Sequence, residues 1–170
     1  VVSLGFRSET FGIPGAEEFA LEMIDIDSAR KVHENILAAM DKYKETQDRK
    51  YLNIAVCGAG FTGIELVGSL VENKKEFANR AGVKKSDVTI YCVEAAPSIL
   101  PMFNDELRKY CLDNLAKWDV ELMTGKAIKG LKQDTVVYAD GEVEKELAAG
   151  TIIWTTGVSG SEIIGKSGFE

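Results

Sequence analysis

Six residues, Gly58-Ala59-Gly60-Phe61-Thr62-Gly63, have the spacing G-x-G-x-x-G, between a short apolar run and a helical pattern. In a strand–turn–helix setting this spacing cradles the pyrophosphate of a dinucleotide. Gly58 allows the sharp turn, Gly60 lets the backbone approach the pyrophosphate, and Gly63 lets the helix pack close against the strand. The helix N-terminus then faces the phosphates. Glu94 is the second candidate. It stands at the end of a second apolar run, where a carboxylate can accept hydrogen bonds from the adenosine ribose hydroxyls. It would repel the extra phosphate of NADP(H), and the residues after it, Ala95, Ala96 and Pro97, include no arginine to offset that repulsion. NAD(H) is therefore the expected ligand. Glu94 follows Gly63 by 31 residues, against about 20 in the usual fingerprint. Residues 72–86 supply an insertion that accounts for the difference.

Glu94 has a second reading as a surface residue at a strand end, and two further positions also have two readings each. Glu65 falls in the first turn of the glycine helix. It either points across the cleft to a nicotinamide carboxamide or serves the helix macrodipole. It is the one candidate near the chemistry, and its role there would be orientation. Gly157 follows a buried run at residues 151–155. It either lets the backbone approach a cofactor at the carboxyl end of a parallel strand or is a plain strand-to-loop turn. Trp154, Phe103 and Trp118 read as core. His33, the only histidine, has polar neighbours and reads as a surface or packing residue. Cys57, Cys92 and Cys111 read as small buried hydrophobes suited to a reducing cytosol, and no C-x-x-C is present. No metal site is expected.

These residues need a scaffold, and the chain has the size and composition for one. It has 170 residues, 45% hydrophobic and 28% charged, enough for one domain with a real core. A net charge of −7 argues against a nucleic-acid partner. No apolar run approaches the roughly 20 residues of a membrane helix, and no secretory signal is visible.

Residues 1–5 read as the end of a strand, and 11–15 as a turn-rich connector. A helix is expected to open at Asp27-Ser28 and to exit through a polar segment at 42–50. Residues 52–57 form the first core strand, apolar nearly throughout as a strand covered on both faces must be. The glycine helix carries Ile64, Val67, Leu70 and Val71 inward and is expected to turn into a solvated end and loop through 72–85. Residues 88–93 form the second strand. Leu107, Cys111, Leu115 and Trp118 are spaced to cover a sheet from the next helix, and 120–123 is a third parallel strand. Short alternating runs at 127–132, 135–139 and 142–147, with Asp140-Gly141 between the last two, predict a small antiparallel meander in place of a crossover helix. The fold class is therefore α/β, a Rossmann-like parallel sheet with helices on one or both faces plus a small antiparallel β-meander crossover.

The assembled motifs carry a resemblance. The chain resembles the NADH-binding domain of two-dinucleotide-binding-domain flavoproteins, the pyridine nucleotide–disulfide oxidoreductase superfamily, and within it the type II NADH dehydrogenases. The matching segments are VVSLG (1–5), FGIPG (11–15), GAGFTGIEL (58–66), VEAAPSILP (93–101) and IWTTGV (153–158). The resemblance implies a fuller protein with FAD-domain segments on both sides in sequence. Residues 1–18 would be the exit strand of the FAD domain and a crossover connector, 19–158 the NADH-binding domain, and 159–170 the start of the return towards the FAD domain. It implies that Gly58, Gly60 and Gly63 cradle the NADH pyrophosphate with the amides of Phe61 and Thr62, that Glu94 binds the ribose, that Glu65 orients the nicotinamide and that Gly157 lies beside the cofactor. It implies hydride transfer from NADH to FAD and then electrons to a quinone, in a cytoplasmic parent held peripherally on the inner face of the cell membrane, with a homodimer plausible. FAD is not expected on this chain, which lacks a second glycine motif, and the chain alone is expected to be inactive. The open alternatives are another flavoprotein of the superfamily (an NADH oxidase, a ferredoxin or rubredoxin reductase, a disulfide reductase) and a non-catalytic NAD(H)-sensing module.

Overall fold

The computed structural model describes residues 4–168. In chain order the elements are β1 (Phe6–Ser8), α1 (Ala16–Phe19), β2 (Leu21–Glu22), α2 (Ile26–Thr46), β3 (Asn53–Cys57), α3 (Phe61–Ala81), β4 (Thr89–Val93), α4 (Asp105–Lys117), β5 (Val120–Met123), β6 (Ile128–Lys132), β7 (Thr135–Asp140), β8 (Val143–Ala148), β9 (Thr151–Trp154), β10 (Val158–Gly160) and α5 (Glu162–Ser167). Five strands form a parallel sheet in the order β2-β9-β3-β4-β5, with Cys57 level with both Val93 and Trp154. The glycine turn after β3 and Glu94 after β4 therefore share the carboxyl edge of the sheet with the end of β9.

Side chains alternate faces along a strand, and here both faces are apolar. Ile54, Val56 and Ile153 join a core with Val32, Ile36 and Met40 of α2 and Val67 and Leu70 of α3. Ala55, Cys57, Ile152 and Trp154 join a second core with Leu131, Val136 and Leu147 of the antiparallel sheet β6-β7-β8. The expected helices lie on one face, and the expected meander supplies the other. Its β7–β8 turn places Gly141 at φ 66°, a left-handed conformation that glycine adopts without cost. Asp140, before this turn, is bonded by both Lys126 and Lys145, which hold its carboxyl down at about 2.

Several local expectations need correction. Of residues 1–5, 1–3 lie outside the described residues, and Leu4 and Gly5 are not in a strand; the first strand is Phe6–Ser8. It pairs antiparallel with β10, Phe6 opposite Gly160, so β10 straddles the boundary expected at 158. Helix α2 starts before Asp27: Asp25 is its cap and accepts from the Ser28 amide at 2.7 Å. Residues 72–85 are the expected helix end and loop, and most of their charges are exposed, but one stripe is not solvated. Helix α3 runs to Ala81, with Lys74, Phe77, Ala78 and Ala81 buried, because the apolar stripe resumes beneath the charges. On α4, Leu115 is buried and Cys111 packs beside it, but Leu107 and Trp118 are 51% and 41% exposed. Helix α4 covers β5, the sheet's edge strand, and an edge offers less surface to bury against.

Candidate cofactor-binding site

The three glycines act differently, as a β-carbon placed at each one makes plain. At Gly58, where φ is +113°, it would lie 2.7 Å from Thr156 Cγ2 and 3.0 Å from Thr155 Oγ1. At Gly63 it would lie 2.0 Å from the Gly58 carbonyl oxygen. At Gly60 it would meet nothing within 4 Å, so the space above that residue is open to a ligand. Gly60 is also the N-cap of α3, and no side chain caps that helix start. Its first N–H groups therefore point, uncapped, at the open space, which suits an anion.

The turn is tied down from behind. Gly58 N donates to Val93 O at 2.8 Å, and Thr155 Oγ1 donates to the Cys57 and Gly58 carbonyls at 2.9 and 3.2 Å. The Cys92 thiol reaches the Gly58 carbonyl at 3.7 Å. Burial pushes that thiol up to about 12 and raises Cys57 further, so neither is a thiolate at neutral pH.

Glu94 is held by the loops it faces. Its Oε2 accepts from Ala59 N at 2.7 Å and its Oε1 from Ala96 N at 2.8 Å. Each oxygen keeps a further lone pair, so the carboxylate can accept two hydroxyls while the two amides fix its orientation. Glu94 and Gly60 line a cleft of about 430 Å³ with Phe11, Trp154, Thr156 and Gly157. That is within the size range of small-ligand sites, roughly 300–1,000 Å³. The glycine turn sits in the middle of this edge, Glu94 on one side and the end of β9 on the other.

The remaining candidates are spread around this cleft. Gly63 is buried under the turn, and Phe61 and Thr62 are exposed at the start of α3, with Phe61 edge-on to Phe103 at 5.2 Å. Glu65 is exposed one turn along α3 and is not among the residues lining the cleft. Gly157 lines it at φ +68°, but its missing β-carbon makes room for the Phe11 ring, 2.5 Å from where that carbon would be. Trp154 is 2% exposed, a core residue as expected, yet it also lines the cleft. Phe11, Ala59, Ala96 and Thr155 were not singled out from sequence, although each stands in one of the matching segments. Ala59 and Ala96 act through backbone amides and Thr155 through its hydroxyl, which residue type alone does not signal. His33 is half exposed, 3.4 Å from Glu76. Among the described residues no group of three His, Cys, Asp or Glu side chains is placed to hold a metal, and no helix is long and apolar enough to cross a membrane.

A parallel sheet with a glycine cradle at its central strand and a fixed carboxylate at the next strand defines a dinucleotide-binding α/β domain. The chain belongs to the pyridine nucleotide-disulphide oxidoreductase family, whose profile matches residues 1–170. It is 42% identical over 169 residues to the type II NADH:quinone oxidoreductase of Staphylococcus haemolyticus, covering 98% of this chain and 42% of that relative. The counterpart in Staphylococcus aureus is 39% identical over 170 residues, with the same coverage. The chain thus spans less than half the length of these curated relatives. Its fold matches NDH2 from Plasmodium falciparum in complex with NADH at a TM-score of 0.86 and 23% identity, covering 95% of this chain and 35% of that one.

Proposed function

We propose that this chain is the NADH-binding part of an FAD-dependent NADH:quinone oxidoreductase. The observation that carries the reading is the open space over Gly60, flanked by uncapped helix amides and by the fixed Glu94 carboxylate. The pyrophosphate would lie on the Gly60–Thr62 amides, and the adenosine ribose on Glu94. Phosphate on that ribose would stand against a carboxylate that the Ala59 and Ala96 amides prevent from swinging away, which disfavours NADPH. NADH, once bound, supplies a hydride to flavin, and the electrons pass on to the quinone. This chain's share is binding and orientation.

The names of the curated relatives support the quinone as acceptor, and the family supports flavin as partner cofactor. In this reading the β1–β10 ribbon is the crossing to an FAD domain, and residues between it form the NADH domain. Glu65 would reach the nicotinamide from the side once that second domain closes the cleft. Peripheral attachment to the inner face of the cell membrane and a homodimer belong to the same reading of the whole enzyme.

Calorimetric titration with NADH and NADPH tests it, after a visible spectrum has been taken for flavin. NADH is expected to bind roughly tenfold or more tightly than NADPH. Glu94→Ala is expected to lose roughly 10- to 100-fold in NADH affinity. Tighter NADPH binding, or unchanged affinity in the variant, would sink the reading of Glu94.

A further inference from the structure

We infer that Phe11 is a wall of the nicotinamide end of the cleft and reads the planar ring of the bound dinucleotide. The inference rests on the NADH reading above and adds a residue to it. The edge of the sheet sets the direction of the ligand. With ribose at Glu94 after β4 and pyrophosphate at the turn after β3, the second mononucleotide must extend over β9, the neighbour of β3 on the other side. The residues waiting there are Thr155, Thr156, Gly157 and Phe11.

Phe11 is held in place by a short strap. Glu9 N donates to Gly157 O at 3.2 Å, Trp154 Nε1 donates to Glu9 O at 3.0 Å, and Phe11 N donates to the Glu9 side chain at 2.9 Å. These bonds keep Phe11 at φ +53°, a conformation that bulky side chains rarely adopt. Strain of this kind persists only where the surroundings impose it, and it gathers at ligand clamps. One side of the ring rests against Gly157, where any side chain would displace it. The residue is nonetheless 65% exposed, and it lines the cleft. An aromatic surface there meets a flat heteroaromatic ring by stacking or by edge contact. Such contacts add affinity that a ligand without the ring does not feel.

The test is calorimetric titration of the full chain and of Phe11→Ala with NADH and with ADP-ribose, which lacks the nicotinamide. Phe11→Ala is expected to weaken NADH roughly 3- to 10-fold and to leave ADP-ribose within about twofold. Phe11→Tyr, which keeps the ring, is expected to restore NADH affinity. Equal losses for the two ligands, or no loss for NADH, would overturn the assignment of Phe11 while leaving the dinucleotide site standing. A wild-type chain that binds neither ligand would overturn the site itself. Circular dichroism of each variant separates lost folding from lost contact, and Phe11→Tyr decides the question if Phe11→Ala is unfolded: NADH affinity restored while Phe11→Leu stays weak supports the role, and equal affinity in both removes it.

Discussion

The glycines of the turn differ in the space around them. Gly58 and Gly63 are excluded from carrying a β-carbon by protein atoms, whereas the space above Gly60 is open. The tight turn at Gly58 and the close packing at Gly63 were legible in the sequence, because the three-glycine spacing falls between a strand and a helix. The amide lock on Glu94 was not, since Ala59 and Ala96 contribute only backbone. Nor was the pairing of Phe11 with Gly157, which joins opposite ends of the sequence. One residue runs against the general satisfaction of polar groups: Thr156 Oγ1 is buried without a hydrogen-bond partner among the described residues. A buried hydroxyl left unpaired costs about 1–3 kcal/mol. Thr156→Val keeps the shape and removes the hydroxyl, so chemical denaturation is expected to find it as stable as the wild type or up to about 1 kcal/mol more so. A clear loss of stability would mean that the hydroxyl has a partner.

Among the elements, α3 departs most from its sequence. Its second half is dense in charge and most of it is exposed, yet one stripe of it is buried, because Phe77, Ala78 and Ala81 continue the stripe begun by Val67 and Leu70. Lys74 is caught on the buried side at 3% exposure. Desolvation lowers its pKa, the nearby Asp119 offsets part of that, and Lys85 adds to it. The unfolded chain therefore binds more protons than the folded one between the lowered value and about 10.5. Below that window the cost of burying the charge is fully present, and across it the cost fades as pH rises. Lys74→Met keeps the packing and removes the charge. Its melting midpoint is expected to exceed the wild type's by roughly 2–4 °C at neutral pH. The gain should shrink as pH approaches 10.5. Cys57 and Cys92 titrate in both proteins, so their contribution cancels in the difference. A gain that is absent, or constant with pH, would mean that Lys74 reaches water.

At the scale of the molecule, the parallel strands at 52–57, 88–93, 120–123 and 151–155 and the meander were legible, because apolar runs, alternation and turn residues report on faces; the order of the strands in the sheet, with β9 beside β3, was not. Which face the helices take was not, since a strand apolar on both sides says only that both are covered. The cleft is lined from the carboxyl edge of the parallel sheet and by Ile128 of the meander, and a ligand that binds only the folded chain stabilises the whole unit. At about 100 times its dissociation constant, NADH should add about 2.7 kcal/mol to folding. Differential scanning fluorimetry should then record a rise of roughly 5–11 °C. FAD at the same concentration should produce none. A rise with FAD and none with NADH would assign the cleft to the other dinucleotide.

The antiparallel pairing of β1 with β10 has a consequence for ancestry. Phe6 faces Gly160, so the backbone arrives and departs side by side, and everything between hangs from a two-strand stem. A unit with such a stem can be lodged in a surface loop of an unrelated protein without prising its neighbours apart. It can equally be lifted out and carried elsewhere. The stem makes the domain a cassette, and a new host needs to supply only two adjacent loop ends to receive it.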